Sequence, residues 1–247
     1  MILLRYSASL VFIAQMYLAM LLLGIAFTPW AVLDRRGAST GIRVYCRYVR
    51  LTARLICGLR SEVRGTVPSG EVLVASKHQS FFDIILLCSV LPSPKFIMKT
   101  ELRRAPVLGW YAGRIGCVPV DRGQRGQAIN QMLADVAAGR SLPGQLVIYP
   151  QGTRVAPGDK RPYKIGTAVL YAESGQACVP AATNVGLFWP RRGILRRPGL
   201  AVVEFLPPIA PGLPTQVFMQ KLESTIEEAS DRLALDTGMA IDSDNAR

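Results

Sequence analysis

The chain contains a single histidine, His78, and an aspartate follows it five residues later at Asp83. Imidazole accepts and releases protons near neutral pH, so histidine-based general-base chemistry in this protein depends on His78. Residues five apart on one helix point about 140° away from each other. The pair can therefore meet only if His78 lies in a turn after a strand and Asp83 in the first turn of a helix. An aspartate on one ring nitrogen would fix the tautomer and support the imidazolium.

A structural role for Asp83 is the alternative. Ser80 is a good helix N-cap, and the run Ser80-Phe81-Phe82-Asp83 fits a capping box, in which Asp83 only stabilises the start of a helix. The spacing is common by chance, so the pair alone leaves both interpretations open.

Two arginines follow predicted strands. Arg122 comes after the strand that ends at Val120, and Arg154 comes after the strand that ends at Tyr149. Open α/β sheets bind ligands beyond the carboxyl ends of their strands. Arg154 has Gly152 and Thr153 before it, a combination that suits a phosphate held by backbone N–H, hydroxyl and guanidinium. Arg122 has Asp121 beside it, and a surface ion pair is the alternative there.

Short apolar runs alternate with amphipathic segments after Pro68, and this pattern predicts an α/β fold with a mixed, largely parallel central sheet flanked by helices. We predict an N-terminal segment over residues 1–64 and a second domain over residues 65–247. The predicted strands are Glu71–Ala75, Lys95–Met98, Cys117–Val120, Gln145–Tyr149, Cys178–Ala182 and Leu200–Leu206, and the predicted helices are Phe81–Val90, Glu101–Gly113, Gly126–Gly139, Tyr163–Ser174 and Thr215–Leu233. The Arg-rich run from Trp189 to Pro198 is expected to be a surface loop.

The first thirty residues predict a membrane-embedded helix. No charged side chain occurs between Arg5 and Asp34, and about 20 apolar residues suffice to cross a bilayer. Pro29 is expected to end or kink this helix. A helix buried in the protein core is the alternative, and a re-entrant helix in one leaflet is another.

A second N-terminal helix is predicted over Ile42–Leu59. If it is helical, four arginines fall on a narrow stripe while most of the remaining surface is apolar, as in a helix that lies at a membrane interface. The alternative is a helix packed on the domain with a solvated basic edge. The four arginines are Arg43, Arg47, Arg50 and Arg54.

Composition favours a lipid surface. The formal net charge is +12, the pI is about 9.9 and the mean hydropathy is +0.25, a combination that fits attraction to anionic headgroups. We expect no nucleic-acid partner, because no zinc-finger, RNP-like or helix-turn-helix pattern occurs. Five cysteines without a C-x-x-C spacing predict reduced thiols, and with one histidine they predict no metal site.

Four ordered motifs resemble the HxxxxD family of glycerolipid acyltransferases over residues of about 70 to 190. The stretch around Lys99 also matches that family. The motifs are His78-Gln79-Ser80-Phe81-Phe82-Asp83, Gly116 to Arg122, Tyr149-Pro150-Gln151-Gly152-Thr153-Arg154 and Val179-Pro180-Ala181-Ala182.

The resemblance implies acyl transfer from acyl-CoA or acyl-carrier protein, as co-substrate and partner, to the free hydroxyl of a lysophospholipid such as 1-acylglycerol 3-phosphate. His78 would be the base and Asp83 its orienting partner, with no bound cofactor. Arg122, Arg154 and Lys99 would hold the acceptor's phosphate, and Gln151, Gly152 and Thr153 of the third motif would also bind the substrate. Backbone N–H groups near the start of the Ser80 helix are candidate oxyanion donors. The implied location is the cell inner membrane, with the site facing the cytoplasm at the surface of its phospholipids.

One position departs from the family. Gln151 stands where the third motif generally has glutamate, so an acidic role there is in doubt, whereas Gly152, Thr153 and Arg154 keep the pattern. Other expectations are a lyso-ornithine lipid as acceptor, or a membrane adaptor whose site has decayed. A serine hydrolase lacks its Gly-x-Ser-x-Gly motif here.

Overall fold

A seven-stranded sheet with helices on both faces forms the body of the protein in the computed structural model, which describes residues 2–120 and 143–238. Two short 3-10 helices lie at Thr100–Arg104 and Val185–Leu187. In chain order the described helices and strands are α1 (Ile2–Leu33), α2 (Arg35–Cys57), β1 (Leu59–Arg64), β2 (Val72–Ser76), α3 (Phe81–Val90), β3 (Pro94–Lys99), α4 (Leu108–Arg114), β4 (Val118–Val120), β5 (Gln145–Ile148), α5 (Gly166–Ser174), β6 (Cys178–Thr183), β7 (Gly199–Phe205) and α6 (Thr215–Leu235).

The sheet is mixed and mostly parallel, as predicted. Its strand order is β1-β7-β6-β2-β5-β3-β4. β2 pairs in parallel with β5 and β6, and β3 pairs in parallel with β5 and β4, whereas β7 runs antiparallel to β6 and parallel to β1. The carboxyl ends of β2 to β6 therefore meet at one edge of the sheet, where the loops that carry the predicted site begin.

The six predicted strands are confirmed to within one residue at each end. β1 was missed because its sequence, Leu59 to Arg64, is mostly polar, and its exposed side chains are those of an edge strand. β1 lies inside the predicted N-terminal segment and pairs with β7, so the sheet begins before residue 65.

The predicted helices are confirmed only in part. α3 matches its prediction at both ends, and α5 and α6 overlap theirs. The single helix expected over Glu101–Gly113 is wrong: the structure has a 3-10 turn followed by α4, because Pro106 cannot continue a helix. The helix predicted over Gly126–Gly139 lies outside the described residues.

The two N-terminal helices form a hairpin. α1 continues through Pro29 to Leu33, so Pro29 does not end the helix, and a kink at Pro29 stays a prediction. α2 begins at Arg35, after Asp34 caps it by accepting from the Arg36 N–H at 2.8 Å, and it ends before Gly58, which takes the left-handed conformation with φ 66°.

The sheet separates two apolar layers. One buried cluster joins Phe12 and Met16 of α1 and Val49 of α2 to α3 and to one face of the strands. On the other face, Leu73 and Ala75 of β2 pack with α5 and α6. Adjacent residues of β2 thus point into different layers, as the period of a strand requires.

The Arg-rich run after β6 is not wholly a surface loop. Trp189 is 4% exposed and lies between Phe12 of α1 and Phe82 of α3, with ring centroids 5.4 and 5.2 Å away. The Arg196 guanidinium lies 4.2 Å from the centre of the Trp189 ring, and the Arg196 backbone N–H donates to Ser9 Oγ at 2.9 Å. The loop therefore anchors α1 to the body.

The arginine stripe of α2 consists of two arginines bonded to the body and two exposed ones. Arg50 donates to Ser61 Oγ and Ser89 Oγ, both at 2.9 Å, and Arg43 donates to the carbonyl of Pro92 at 2.8 Å. These two side chains hold α2 to the body, whereas Arg47 and Arg54 are exposed.

α1 is the helix, among those described, that is long and apolar enough to cross a membrane. Its 32 residues span about 48 Å, more than the roughly 30 Å of a bilayer's hydrocarbon core. Large apolar side chains such as Val11, Leu18 and Leu22 are more than half exposed along it. This exposure, with the contacts made by Phe12, indicates a helix packed on the body along one side and apolar on the other.

Candidate active site

His78 and Asp83 meet in the loop between β2 and α3. His78 follows β2 by two residues and Asp83 lies in the first turn of α3, the arrangement that their spacing required. The ring nitrogen Nδ1 of His78 lies 3.0 Å from Oδ1 and 3.1 Å from Oδ2 of Asp83. With Nδ1 turned to the carboxylate, Nε2 is the nitrogen left to face a substrate.

Asp83 also caps α3. Its Oδ2 accepts the backbone N–H groups of Gln79 and Ser80, both at 2.9 Å, while Ser80 Oγ accepts from the Phe82 N–H at 3.1 Å. The capping and histidine-orienting roles, which the sequence left as alternatives, therefore hold together. The carboxylate is fully buried, and these donors compensate the loss of water.

This network uses three N–H groups that were candidate oxyanion donors. The N–H groups of Gln79 and Ser80 point to Asp83, and that of Phe82 points to Ser80. They are therefore not free to stabilise an oxyanion, and the expectation is wrong for these three.

Tyr149 completes the His78–Asp83 pair. It directly follows β5, the neighbour of β2, and its ring stacks on the imidazole with centroids 3.9 Å apart and planes inclined by 18°. Its hydroxyl donates to Asp83 Oδ1 at 3.3 Å. Burial and the nearby Asp83 charge raise the pKa of Tyr149, so the phenol stays protonated and remains a donor at neutral pH. Tyr149 belongs to the third motif, but its place in the sequence predicts no role for it.

The third motif forms a tight turn beside the histidine loop. The Gly152 N–H donates to the carbonyl of Tyr149 at 2.8 Å, and Gly152 has φ 66°, a left-handed conformation that glycine adopts at little cost. The Val155 N–H then donates to the carbonyl of His78 at 2.8 Å. These bonds fix the third motif against the first.

Lys164 also reaches this turn, although the sequence analysis did not single it out. A Cβ on Gly152 would lie 2.4 Å from Lys164 Nζ, so the ammonium group occupies the space above the glycine. The Lys164 N–H donates to the carbonyl of Pro150 at 2.9 Å. Lys164 follows the start of the motif, Tyr149, by 15 positions, and no spacing rule links them.

Gln151 points into the loop. It is buried, and its Nε2 donates to the carbonyl of Arg161 at 3.3 Å. A carboxylate would lack this donor. The amide therefore ties the two ends of the loop between Gln151 and Arg161, and a contribution of Gln151 to substrate binding stays a prediction.

Arg154 and Arg191 bring two loops of this edge together. Arg154 Nη1 donates to the carbonyl of Arg191 at 3.4 Å, and Arg191 Nη1 donates to the carbonyl of Arg154 at 3.2 Å. Thr153 and Arg154 are half-buried, and Arg191 and Arg192 are exposed. The reciprocal bonds place at least two guanidinium groups together beyond the strand ends.

Lys99, another of the predicted cations, lies farther from the histidine loop. Lys99 is the exposed last residue of β3, two strands from β2, which puts it about 10 Å across the sheet. Arg122 lies outside the described residues. The fourth motif, Val179 to Ala182, lies within β6 and pairs with β2, so it supports the histidine loop from the side.

The described parts of the chain, residues 2–120 and 143–238, contain no group of three His, Cys, Asp or Glu side chains that could hold a metal ion. The arrangement at the edge is instead a buried carboxylate, an oriented imidazole and nearby cations. Such a set can remove a proton from a hydroxyl group and hold an anionic substrate.

The fold and this edge define an α/β protein whose one imidazole is held by a buried carboxylate at the carboxyl ends of parallel strands. The chain belongs to the acyltransferase family, whose family model matches residues 60–184. This stretch runs from β1 to the end of β6 and contains His78, Asp83 and the third motif.

Curated relatives agree with the family. The chain is 28% identical over 160 residues to the 1-acyl-sn-glycerol-3-phosphate acyltransferase of Pseudomonas aeruginosa, covering 64% of this chain and 62% of that protein. It is 33% identical over 175 residues to the lyso-ornithine lipid O-acyltransferase of the same organism, covering 68% and 65%. The chain thus spans less than two thirds of the length of these relatives.

A solved structure shares the fold. The crystal structure of the 1-acyl-sn-glycerophosphate acyltransferase PlsC from Thermotoga maritima superimposes with a TM-score of 0.77, covering 93% of this chain and 97% of that chain at 17% sequence identity. At this identity the likeness concerns the fold, and it includes the N-terminal helices because of its coverage.

Proposed function

We propose that the protein transfers an acyl chain to the free hydroxyl of 1-acylglycerol 3-phosphate and so forms phosphatidic acid. The observation that carries this proposal is the His78–Asp83 pair, with Nδ1 held by a buried carboxylate at 3.0 Å and Nε2 left for a substrate. Membership of the acyltransferase family supports the reaction class, and the curated relatives support the acceptor.

In the proposed reaction His78 Nε2 takes the proton of the acceptor's sn-2 hydroxyl as its oxygen attacks the thioester carbon of the donor. The carbon–sulfur bond then breaks, the ester remains on the acceptor, and the leaving thiolate takes the proton from the imidazolium. Asp83 holds the ring and balances its charge while the proton resides there. No covalent acyl-enzyme is needed.

The cations at the strand ends are proposed to hold the acceptor's phosphate. Arg154 is the best placed of them, because the third motif carries it and Val155 of the same loop bonds to His78. Lys99, Arg122, Gly152 and Thr153 are proposed as further contacts, since guanidinium, ammonium, hydroxyl and backbone N–H groups all donate to phosphate oxygens.

The acyl donor is proposed to be acyl-CoA or acyl-carrier protein. Both are acidic thioesters, and the exposed Arg191 and Arg192 border the site with charge of the opposite sign. The exposed apolar surface of α1 supports association with membrane phospholipids, and we propose the inner membrane with the site facing the cytoplasm.

The test is a direct assay with purified protein in phospholipid vesicles. We expect labelled phosphatidate from wild type supplied with acyl donor and 1-acylglycerol 3-phosphate, and a loss of about 10²–10⁴-fold in His78→Ala. Lys221→Ala, an exposed residue of α6, is the matched control and should keep wild-type turnover. Running acyl-CoA and acyl-carrier protein in parallel identifies the donor.

Lyso-ornithine lipid is tested as a second acceptor in the same assay, because the chain is 33% identical to a lyso-ornithine lipid O-acyltransferase. Turnover of lyso-ornithine lipid in preference to 1-acylglycerol 3-phosphate would replace the proposed substrate but keep the reaction. Product formation that survives in His78→Ala would overturn the assignment of the base. No product from any lysolipid would favour a membrane adaptor.

A further inference from the structure

Tyr149 contacts the imidazole over its face. The two rings are 3.9 Å apart and nearly parallel, and Phe96 of β3 lies at 6.3 Å from the Tyr149 ring, inclined by 27°. Three neighbouring strands, β2, β5 and β3, thus supply His78, Tyr149 and Phe96 as a stack. Because Phe96 packs against the Tyr149 ring, the stacked Tyr149 ring restricts the orientation of the His78 imidazole.

The hydroxyl of Tyr149 shares an acceptor with that imidazole. Tyr149 Oη and His78 Nδ1 both approach Asp83 Oδ1, at 3.3 and 3.0 Å. Nδ1 also lies 3.1 Å from Asp83 Oδ2, which receives two backbone N–H groups. Each donor draws on the same negative charge. The phenol therefore reduces the charge that Asp83 offers to the histidine.

The face of the Tyr149 ring has the opposite effect on the protonation of His78. The face of an aromatic ring attracts a cation, and a stacked ring at 3.9 Å is within the range of that interaction. Tyr149 thus favours the protonated imidazole through its face and disfavours it through its hydroxyl.

We propose that Tyr149 is a positioning residue that sets, through its stacked ring and its hydrogen bond to Asp83, the pH at which His78 becomes a base. The inference rests on the proposed function only in that His78 is the base there. Tyr149 does not touch the reacting atoms, and it acts through His78 and Asp83.

Among the described residues, a thiol is also packed near this cluster. Cys88 of α3 lies near Tyr149, and its hydrogen bond with Cys46, together with burial, raises the pKa of Cys88. A thiol with a raised pKa is neutral at the pH values of interest, as is the phenol of Tyr149. The histidine and Asp83 are then the charged partners that a Tyr149 substitution affects.

Two substitutions separate the two effects. Tyr149→Phe keeps the ring and removes the hydroxyl, so Asp83 offers more charge to His78, and we expect the acidic limb of the kcat/KM profile to move to higher pH by about half a unit. Tyr149→Leu removes the ring face as well, and we expect its acidic limb to lie at a lower pH than that of Tyr149→Phe. We also expect kcat to fall about tenfold, because the imidazole is less well oriented.

A direct titration is possible because the chain has one histidine. In protein with ¹³C-labelled histidine and no histidine tag, a single imidazole signal reports His78 by NMR in detergent micelles. We expect its midpoint in Tyr149→Phe to shift in the same direction as the kinetic limb. Tyr163→Phe is the matched control, since its buried hydroxyl donates to Glu227 instead of Asp83 and its loss should leave the midpoint unchanged.

The outcomes for this inference and for the proposed function are distinguishable. A Tyr149→Phe midpoint equal to that of wild type, in protein with an unchanged melting temperature, would overturn the role of Tyr149 even if the enzyme is active. A shifted midpoint in protein that acylates no lysolipid would support the role of Tyr149 and contradict the proposed function. Tyr149→Phe decides the question alone if Tyr149→Leu does not fold.

Discussion

At the scale of single residues, Asp83 has two functions that compete for two oxygens. Oδ2 accepts the N–H groups of Gln79 and Ser80, just before α3. Oδ1 accepts from the Tyr149 hydroxyl, and His78 Nδ1 lies within 3.1 Å of both oxygens. A substitution of Asp83 therefore affects both the helix and the imidazole. Ser80 takes part only in the helix cap, so a comparison of the two residues separates the functions.

We predict that Ser80→Ala lowers the free energy of unfolding by about 1 kcal/mol and leaves turnover near that of wild type, because only a cap acceptor is lost. Asp83→Asn should reduce turnover at least about 100-fold, since an amide cannot balance an imidazolium. Thermal melts and lysolipid acylation measure both effects. Equal losses of turnover in the two variants would mean that Asp83 serves as a cap alone.

Gly152 offers a second test at this scale. Alanine there is strained by about 1–2 kcal/mol in the left-handed region, and its Cβ would displace Lys164 Nζ. We predict a similar loss of stability for Gly175→Ala, which has φ 61° and nothing within 4 Å of its Cβ. Only Gly152→Ala should lose turnover, because only that change disturbs the third motif. Equal turnover in both variants would contradict this role of the turn.

Sequence spacing predicted the His78–Asp83 contact because both residues lie in one short loop, where a strand-to-helix turn leaves few geometries. It could not predict the contact of Tyr149 with His78, since 71 positions separate them and only the pairing of β2 with β5 brings them together. Lys164 was missed because no spacing rule links it to Gly152, although both lie in the loop between β5 and α5.

At the scale of elements, a buried ion pair holds α6 behind the histidine loop. Lys77 Nζ donates to both carboxylate oxygens of Glu227, at 2.7 and 2.6 Å, and the Tyr163 hydroxyl donates to Oε1 at 2.8 Å. Lys77 is 3% exposed and precedes His78 directly. The pair therefore joins the helix α6 to the backbone that carries the base.

We predict that Lys77→Met lowers the free energy of unfolding by about 2–4 kcal/mol, because it leaves Glu227 largely buried without its cation. The control is Arg232→Met, which breaks the exposed Arg232–Glu204 pair of the same helix and should cost at most about 1 kcal/mol. Denaturant unfolding compares the two. Equal losses would show that the buried pair does not anchor α6.

At the scale of the whole molecule, the N-terminal hairpin packs on the body along one side and leaves an apolar, exposed surface along the other. Phe12, Met16 and Val49 fill the core cluster on one face of the sheet, while the outer side of α1 is apolar and exposed. Removing residues 1–60 would uncover that core and cut into β1, so truncation would unfold the protein as well as detach it. Point changes on the outer side are the better test.

We predict that Leu18→Asp/Leu22→Asp moves the protein from the membrane pellet to the supernatant after an alkaline carbonate wash. Both leucines are more than half exposed, so the fold should be kept, and each aspartate at bilayer depth costs about 2.5–3.5 kcal/mol. Val217→Asp, an exposed position of α6 on the other face of the sheet, is the control and should stay in the pellet. Retention of the double variant would argue against insertion of α1.

The sequence by itself determined six of the strands, several of the helices including the apolar N-terminal one, the family motifs and the His78–Asp83 pair, but not the edge strand β1 or the helix break at Pro106. These follow from local rules of strand and helix period, capping and spacing. Only the tertiary structure decided which distant groups meet: Tyr149 on His78, Lys164 over Gly152, Trp189 between α1 and α3, and Glu227 on Lys77. Those contacts depend on the order of the strands and on the packing of the layers. Both are set by the free energy of the whole folded chain, so no local sequence pattern encodes them. The single histidine is thus predicted as a base from the sequence, and its surroundings are set by the fold.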